Sequence, residues 1–184
     1  MRRLFFAYSK KVGMAVYTGK YSSPLGEILL AGNEESLTGL WFVGQKYCGA
    51  GLSEQTVGYD SPPIHEAKRW LDVYFSGHAP DFLPPLAPEG SPFRRAVWDM
   101  LLTIPYGMTV TYGEIAARLA AKRGVASLSA QAVGGAAGHN PISLIIPCHR
   151  VVGADGSLTG YAGGVERKRE LLRLEGVGLA GRGF

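Results

Sequence analysis

The first half of the chain alternates short hydrophobic runs with turn-forming residues. Residues 28–30 and 40–43 are rich in β-forming side chains, and Gly32-Asn33 lies between them as a turn signal. Residues 44–63 are rich in glycine, serine and proline and predict a loop. The apolar face of a following helix is formed by Ala67, Trp70, Leu71, Tyr74 and Phe75, and Gly77 comes after them. This order predicts a small α/β domain with an antiparallel sheet.

A proline-rich segment separates this half from the next. Its prolines are Pro80, Pro84, Pro85, Pro88 and Pro92. Proline fixes one backbone angle and removes a hydrogen-bond donor, so such a segment is typical of an extended linker. We therefore expect an N-terminal α/β domain over residues 1–88 and a second domain over residues 89–184.

The second half has the pattern of a mostly helical domain. Ser91 can cap a helix that has Pro92 at its first position. The buried stripe predicted for that helix is Phe93, Ala96, Val97, Met100, Leu101 and Ile104. Residues Thr111 to Glu114 fit a capping box, in which a hydroxyl and a carboxylate hold the start of a second helix.

The remaining elements suggest a winged helix-turn-helix. Residues 142–146 have the character of a buried strand, and the dipeptide Asp155-Gly156 favours a hairpin. The strands of that hairpin are predicted at residues 151–152 and 158–159, and a last helix at residues 165–174. Two short helices followed by a hairpin are typical of winged helix-turn-helix domains.

A helix predicted from about Ser129 to Gly138 has almost no side-chain bulk. Its small residues are Ala130, Ala132, Gly134, Gly135, Ala136 and Ala137. Two interpretations stay open: tight packing against another helix, which this feature alone favours slightly, or close insertion into a nucleic-acid groove.

Composition and charge narrow the class of protein. Hydrophobic residues make up 46% of the chain and charged residues 18%, which is typical of a globular protein and not of a disordered one. The net charge of +4 permits a polyanionic partner without requiring one. The two cysteines form no Cys-x-x-Cys motif, so we expect no zinc cluster, a reducing compartment and a cytoplasmic protein. We interpret residues 1–13 as a basic leader strand or a frayed end and residues 177–184 as a loose tail.

The candidate chemistry is concentrated around the second cysteine. A thiol is a strong nucleophile only as a thiolate, and the imidazole of His149 can take the proton of Cys148 directly or through water. Glu175, at the end of the last predicted helix, is a candidate to orient that imidazole. A structural role for such a Cys-His pair is the commoner case, and spacing alone assigns no triad.

A longer motif around this cysteine is recognisable. It reads Pro147-Cys148-His149-Arg150-Val151 and resembles the active-site motif of the O6-alkylguanine-DNA alkyltransferases, also called methylated-DNA–protein-cysteine methyltransferases. The likeness extends over residues 91–176 with consistent spacing, and only loosely over residues 14–90. Its further motifs are Thr111-Tyr112-Gly113, Ala132-Val133-Gly134-Gly135, His139-Asn140-Pro141, Gly160-Tyr161-Ala162-Gly163-Gly164, and Lys168, Leu171-Leu172 and Glu175-Gly176 in the last helix.

The resemblance implies DNA repair by direct reversal. Cys148 would take the alkyl group from O6 of guanine in one in-line displacement, with His149 as base through water and Glu175 behind it. Tyr112 would donate a hydrogen bond to the leaving guanine, and Asn140 would hold the hinge beside the thiol. The resulting thioether cannot be hydrolysed by any side chain here, so each molecule would react once. The resemblance leaves open whether O4 of thymine is also a target.

The resemblance also implies how DNA and the base are bound. The helix at residues 129–138 would lie in the minor groove and the damaged guanine would rotate out of the stack. The DNA contacts would come from Ala130, Gln131, Ala132, Gly134 and Gly135. The guanine would be held by the backbone of Val151, the N–H of Ala162, the ring of Tyr161 and the turn at Gly163. We expect a monomer that binds double-stranded DNA and no membrane, and that needs no metal or organic cofactor.

One position departs from the family pattern. Where the family usually carries an arginine that intercalates into the gap left by the flipped base, this chain has Gln131. Glutamine can hydrogen-bond an orphaned cytosine, but it carries no charge and cannot stack as a guanidinium does. Arg118, Lys122 and Arg123 either supply phosphate contacts instead or form a solvated helix end.

Three other functions stay open at this point. A non-catalytic alkylguanine sensor would bind lesions without reacting, although such relatives carry tryptophan where this chain has Cys148. A cysteine hydrolase built on Cys148, His149 and Glu175 would turn over many times and would need an oxyanion hole. A winged-helix regulator would need operator specificity, which the small-residue helix does not indicate.

Overall fold

A computed structural model describes residues 15–52 and 55–178 of the chain. The leader predicted at residues 1–13 lies outside the described residues, as does the predicted tail beyond Gly178. Among the helices of the described part, none is both long enough and apolar enough to cross a membrane.

The chain divides into two compact units. Unit 1 runs to Glu89 and also includes Pro141–Ser143, whereas unit 2 consists of Gly90–Asn140 and the chain from Leu144 onward. The division after Glu89 lies beside the boundary that the prolines predict. The inclusion of Pro141–Ser143 in unit 1 is not foreseen by the sequence pattern.

Unit 1 is built on a four-stranded sheet. Its strands are β1 (Val16–Ser23), β2 (Gly26–Gly32), β3 (Leu37–Phe42) and β4 (Thr56–Gly58), in the order β3-β2-β1-β4. The first three strands are antiparallel, which confirms the predicted sheet, and β4 runs parallel to β1. The loop predicted over residues 44–63 is therefore wrong at β4. All three residues of β4 are exposed, so no apolar face marks this strand in the sequence.

Side chains hold the two hairpin turns of this sheet. Between β1 and β2, the hydroxyl of Ser23 donates to the carbonyl of Gly26 at 2.6 Å and accepts from the N–H of Leu25 at 3.2 Å. Between β2 and β3, Oδ1 of Asn33 accepts from the backbone N–H groups of Glu35 and Ser36, each at 2.8 Å. Asn33 therefore forms the predicted turn, because a short amide side chain can replace a backbone acceptor.

Helix α1 (Pro62–Phe75) packs against the first three strands. The predicted face is buried except for Phe75, which is half-buried, and Ile64 extends it by one turn. The apolar spacing therefore identified the helix and most of its buried side correctly.

The strand predicted at residues 142–146 is wrong. Ile142 makes only an isolated bridge to Leu40, and the backbone of Leu144 has a φ of +69°, which is incompatible with a strand. All five residues are buried, and a short apolar run does not distinguish a strand from a buried loop.

Unit 2 is mostly helical, as predicted. Its elements are α2 (Pro92–Leu101), β5 (Val110–Thr111), α3 (Tyr112–Arg123), α4 (Ala130–Gly138), β6 (Val151–Val152) and α5 (Val165–Leu174). The hydroxyl of Ser91 accepts from the N–H of Arg94 at 3.3 Å, and Thr111 and Glu114 form the predicted capping box. The hydroxyl of Ser129 caps α4. Helices α2, α3 and α4 pack against one another and form the helical core.

The buried side of α2 differs from the predicted stripe. Val97, Leu101 and the following Ile104 are buried as expected, but the stripe residues Phe93, Ala96 and Met100 are only half-buried. Trp98, outside the predicted stripe, is fully buried and donates from Nε1 to the carbonyl of Ala136 on α4 at 2.9 Å. The partner lies far along the chain, so helical spacing could not reveal it.

The hairpin predicted from residues 151–152 and 158–159 is wrong. β6 pairs in parallel with β5, and residues 158–159 form no strand. The N–H of Gly153 donates to the carbonyl of Ser157 at 2.9 Å and closes a tight turn around Asp155-Gly156. Leu158 then turns inward to pack with Val152 and Leu172 instead of pairing with β6.

Candidate active site

Cys148 lies at the start of a 3₁₀ turn, Cys148–Arg150, that leads into β6. The N–H of Cys148 donates to the carbonyl of Ile146 at 2.8 Å, and that of Arg150 donates to Pro147 at 3.0 Å. The side chain of Cys148 is only 5% exposed, so the sulfur lies beneath the surface of unit 2.

Asn140 holds the sulfur from the end of α4. Its Nδ2 donates to Sγ of Cys148 at 3.1 Å and to the carbonyl of Ile146 at 2.7 Å. Both protons of the side-chain amide are thus used, which fixes the sulfur relative to the backbone before it. The structure places Asn140 beside the thiol, as the sequence motif leads one to expect.

A buried cluster forms around the carboxylate of Glu175. Nε2 of His149 lies 2.6 Å from Oε1, and Nε of Arg150 lies 2.8 Å from Oε2. The guanidinium of Arg150 also donates to Oε1 at 3.1 Å and to the carbonyl of Ile104 at 2.7 Å. The N–H of Gly107 donates to Oε2 at 3.0 Å.

Charge and hydrogen bonding set the ionisation of this cluster. Burial raises the pKa of Glu175, but hydrogen bonds and charge from His149 and Arg150 outweigh it and bring this pKa down to about 2. Burial lowers the pKa of His149, against the attraction of Glu175. At neutral pH the carboxylate is therefore ionised and accepts from Nε2–H, which leaves Nδ1 as the basic nitrogen of a neutral imidazole.

Burial of the sulfur favours the protonated thiol over the thiolate. Burial raises the pKa of Cys148, while the hydrogen bond from Asn140 and the charge of Lys168 act in the opposite direction. The thiol-to-imidazole proton transfer expected from the sequence is therefore unfavourable at rest, because a buried thiolate loses its hydration.

Tyr112 lies at the start of α3 and points to the loop that follows β6. Its hydroxyl donates to the carbonyl of Thr159 at 2.9 Å. Burial and the nearby sulfur of Cys148 raise the pKa of Tyr112 to about 12, so it is a hydrogen-bond donor at neutral pH. The loop approaches this hydroxyl closely, because a Cβ on Gly160 would lie 2.7 Å from it.

The loop carries the other residues expected to bind a base. Tyr161 is buried, and its ring meets that of His149 edge to face at 6.4 Å between centroids. Within the described part of the chain, no group hydrogen-bonds to the Tyr161 hydroxyl. Gly163 lies against this ring, since a Cβ there would be 2.6 Å from it, and Ala162 between them is half-buried.

Lys168, which the family motif contains but to which the sequence assigns no role, connects this loop to β6. Nζ of Lys168, on α5, donates to the carbonyl of Val151 at 2.5 Å and to that of Thr159 at 2.7 Å. Arg150 was likewise not singled out, although it lies inside the recognised motif. Both are long cationic side chains that are buried, and a motif gives no signal of burial.

The small-residue helix α4 has two different sides. Val133, Ala136 and Ala137 are buried against the helical core, which agrees with the packing interpretation. The exposed side carries Ala130, Gln131, Ala132 and Gly135, and a Cβ on Gly135 would meet nothing within 4 Å. Within the described residues, the small side chains on that exposed side make no helix–helix contact that would explain them, so the groove interpretation stays open for it.

A surface concavity of about 550 Å³ adjoins the exposed side of α4. Its lining includes Gln131, Gly134 and Gly135 of the helix, and Tyr112 and Ala154 from neighbouring segments. Tyr112 therefore connects the helix surface with the loop around Tyr161. Five of the residues expected to contact DNA or base lie within unit 2 around this surface.

Potential metal ligands do not cluster in the described residues. No group of three or more His, Cys, Asp or Glu side chains in residues 15–52 and 55–178 is arranged to hold an ion. Cys48 and Cys148 are both free thiols.

Two family models match the chain, one for each half. Residues 16–88 match the ribonuclease-like domain of 6-O-methylguanine DNA methyltransferase, and residues 92–177 match its DNA binding domain. The methylated-DNA–protein-cysteine methyltransferase of Methanosarcina acetivorans is 44% identical over 162 residues, which is 88% of this chain and 99% of that protein. The enzyme of the same name from Mycobacterium tuberculosis is 46% identical over 153 residues, 83% of this chain and 88% of the relative.

A solved structure supports the same assignment. The crystal structure of Mycobacterium tuberculosis OGT in complex with DNA superposes with a TM-score of 0.76 at 43% identity, covering 86% of this chain and 92% of the other. Together with the domain matches, this likeness extends over both units of the molecule. The chain belongs to the 6-O-methylguanine DNA methyltransferase family.

Proposed function

We propose that this protein repairs DNA by moving an alkyl group from O6 of guanine to Sγ of its own Cys148. The observation that carries the proposal is the arrangement around the sulfur. Asn140 holds Sγ at 3.1 Å, and the adjacent His149 is paired with Glu175 at 2.6 Å. A nucleophile, a neutral base and a group that orients the base are the parts that nucleophilic displacement requires.

The transfer step balances as a simple displacement. The bond between O6 and the alkyl carbon breaks while a bond between Sγ and that carbon forms. The thiol proton passes through water to Nδ1 of His149, which later releases it to solvent, and N1 of the departing guanine takes one proton from solvent water, so the base leaves in its keto form and the proton count is unchanged. Tyr112, whose pKa is about 12, donates a hydrogen bond to the leaving base without losing its own proton.

The raised pKa of Cys148 makes the reaction depend on the lesion. A protonated thiol is a weak nucleophile, so the resting protein is protected from adventitious reactions. Proton transfer becomes favourable only as the sulfur's charge is dispersed into the new bond and the leaving base. We therefore place deprotonation in the transfer step itself, and a preformed thiolate is not required.

The exposed side of α4 is the proposed DNA-binding surface. Its alanines and glycines would allow the helix backbone to approach the minor groove closely, and Gln131, exposed on the same side, would fill the gap that a flipped base leaves. The damaged base would rotate out of the stack toward Cys148, beside Tyr112 and the loop 160–163. The small net charge of +4 predicts modest affinity for undamaged DNA.

The proposed reaction ends with a stable thioether. Nothing in the displacement regenerates the thiol, so each molecule acts once. We propose that the protein acts as a monomer. A reducing compartment would keep the thiol free. No cofactor enters the balance.

Intact mass spectrometry tests this function. After incubation with a duplex carrying O6-methylguanine, we expect a gain of about 14 Da on Cys148, because the thiol is the acceptor nucleophile. Cys48→Ala is the matched control and gains the same mass, whereas Cys148→Ala gains none. Unmodified protein with the lesion left in place defeats the proposal, and binding without transfer favours a non-catalytic sensor. A duplex with O4-methylthymine in the same assay decides whether thymine is a second substrate.

A further inference from the structure

Lys168 is a buried cation that the proposed transfer does not use. Its side chain is fully inaccessible, and its ammonium donates to the carbonyls of Val151 and Thr159 at 2.5 and 2.7 Å. Burial lowers the pKa of Lys168 to about 8, so the ammonium form still predominates at neutral pH. A charge buried in this way destabilises a fold unless the protein solvates it, so the ammonium is held to the two carbonyls that accept from it.

The two carbonyls belong to the two segments that border the sulfur. Val151 follows the 3₁₀ turn that carries Cys148, and Thr159 begins the loop that carries Tyr161. The ammonium therefore connects the loop to β6 through one hydrogen bond to each. Its Nζ also lies 5.8 Å from the centroid of the Tyr112 ring, so the three elements meet at one point.

The carbonyl of Thr159 receives two donors at once. Lys168 donates at 2.7 Å and the hydroxyl of Tyr112 donates at 2.9 Å, which occupies both lone pairs of the oxygen. A phenol has a single proton, so Tyr112 cannot donate to Thr159 and to a guanine at the same time. If Tyr112 serves the leaving base, it must first release this carbonyl.

We propose that Lys168 is a positioning residue for alkyl transfer, which keeps Thr159 hydrogen-bonded to α5 while the Tyr112 hydroxyl turns to the incoming base. This inference rests on the proposed function and names the device that lets Tyr112 act in it. With Lys168 present, the release of Tyr112 removes one of two tethers and the loop stays in place. Without Lys168, Tyr112 is the remaining donor to Thr159, so its hydroxyl stays on that carbonyl and does not serve the base.

A double-mutant cycle on the single-turnover rate tests whether Lys168 frees the Tyr112 hydroxyl in this way, which we call the handover. The variants are Lys168→Met, Tyr112→Phe and their combination, with O6-methylguanine duplex in excess. We expect Lys168→Met to slow transfer about ten- to hundredfold, the effect of one charged hydrogen bond. In the Tyr112→Phe background we expect a further loss of less than about threefold, because no hydroxyl has to be released.

Binding and folding controls separate this role from general loosening. Affinity for the same duplex, measured by fluorescence anisotropy with Cys148→Ala added to prevent reaction, should be unchanged by Lys168→Met. Arg169→Met is the matched control, since Arg169 is the next residue on α5 and pairs with Glu166 at the surface; its rate should equal that of the parent protein. If Lys168→Met does not fold, Lys168→Gln, which keeps two N–H donors, enters the same cycle.

The outcomes distinguish the two proposals. No transfer by the parent protein overturns the proposed function. If the parent protein transfers the alkyl group and Lys168→Met transfers it at the same rate, the handover is overturned and the proposed function is not. An equal factor for Lys168→Met in both backgrounds also overturns it, because a merely structural defect multiplies with the loss of the hydroxyl.

Discussion

The two units of the molecule bury different kinds of polar side chain. Among the described residues, unit 1 buries the uncharged groups Ser36, Gln45, Ser61 and Ser143. Unit 2 buries Asn140, His149, Arg150, Lys168 and Glu175. Removing ionisable groups from water costs several kcal/mol unless partners compensate, so a cluster of them rarely serves stability alone. The difference locates the chemistry in unit 2 before any motif is considered.

One example from each unit illustrates the contrast. Oε1 of Gln45 accepts from the N–H of Phe42 at 2.9 Å and lies 3.3 Å from the hydroxyl of Ser143, a neutral arrangement that closes a turn. The carboxylate of Glu175 instead accepts hydrogen bonds from the imidazole of His149, the guanidinium of Arg150 and the backbone N–H of Gly107. The first arrangement organises local structure, whereas the second also fixes the ionisation of its neighbours.

The largest effect is expected from Glu175→Gln. This change leaves Arg150 buried without its counter-charge, so we expect a loss of about 3–5 kcal/mol in the free energy of unfolding. It also replaces the charged acceptor that orients His149 with a neutral amide, and we expect single-turnover transfer to slow at least about a hundredfold. Urea denaturation and quenched-flow assays measure the two losses.

The matched control for this change is Glu27→Gln in unit 1. Its ion pair with Lys20, at 3.2 Å, is exposed to solvent, and we expect a change of less than about 1 kcal/mol. Equal losses for the two variants would contradict the contrast between the units.

The pH dependence of stability is the second test. The folded-state pKa of Glu175, about 2, lies below its ordinary value of 4.5, so its contribution is complete above pH 5 and disappears as pH falls. We expect the wild-type protein to lose roughly 3 kcal/mol between about pH 5 and pH 2 through this group. Guanidinium unfolding curves at successive pH values measure it. A wild-type curve parallel to that of Glu175→Gln would show that Glu175 contributes nothing.

Gly160→Ala is expected to have a smaller effect. The backbone of Gly160 has a φ of +72°, and an added Cβ would lie 2.7 Å from the Tyr112 hydroxyl. We expect a loss of about 1–2 kcal/mol in stability together with slower transfer. Gly44→Ala in unit 1 has a similar φ of +83° with open space around it, and it isolates the backbone strain. Thermal unfolding compares the two variants, and a transfer rate unaffected by Gly160→Ala would separate Tyr112 from this loop.

The smallest change in stability is expected for Gly135→Ala. The added methyl group meets nothing within 4 Å, and alanine favours a helix, so stability should rise by up to about 1 kcal/mol. The same methyl group would lie between α4 and DNA, so the affinity for duplex DNA should fall. Fluorescence anisotropy measures the affinity, and unchanged binding would remove the exposed side of α4 from the interface.

Local patterns explain which parts of the fold could be predicted. The caps at Ser91 and Thr111 depend on residues a few positions apart, so the sequence identified them. The pairing of β6 with β5, and the insertion of Trp98 toward Ala136, depend on distant segments that no local pattern connects.

The candidate site follows the same rule. The motif around Cys148 could be recognised because its residues are contiguous. The hydrogen bond from Arg150 to Glu175 and the two hydrogen bonds to Thr159 could not be predicted, because they join segments that meet only in the folded chain. Burial, which raises the pKa of Cys148, is likewise a property of the fold and is invisible in the sequence.

A titration decides whether Cys148 accepts one alkyl group and is then consumed. A fixed amount of protein is mixed with increasing amounts of O6-methylguanine duplex, and repaired guanine is counted by chromatography of the digested DNA. We expect repair to rise linearly and to stop at one guanine per protein molecule, with the methyl group on the peptide that contains Cys148. Repair that continues beyond one equivalent, or a methyl group on any other residue, would contradict it.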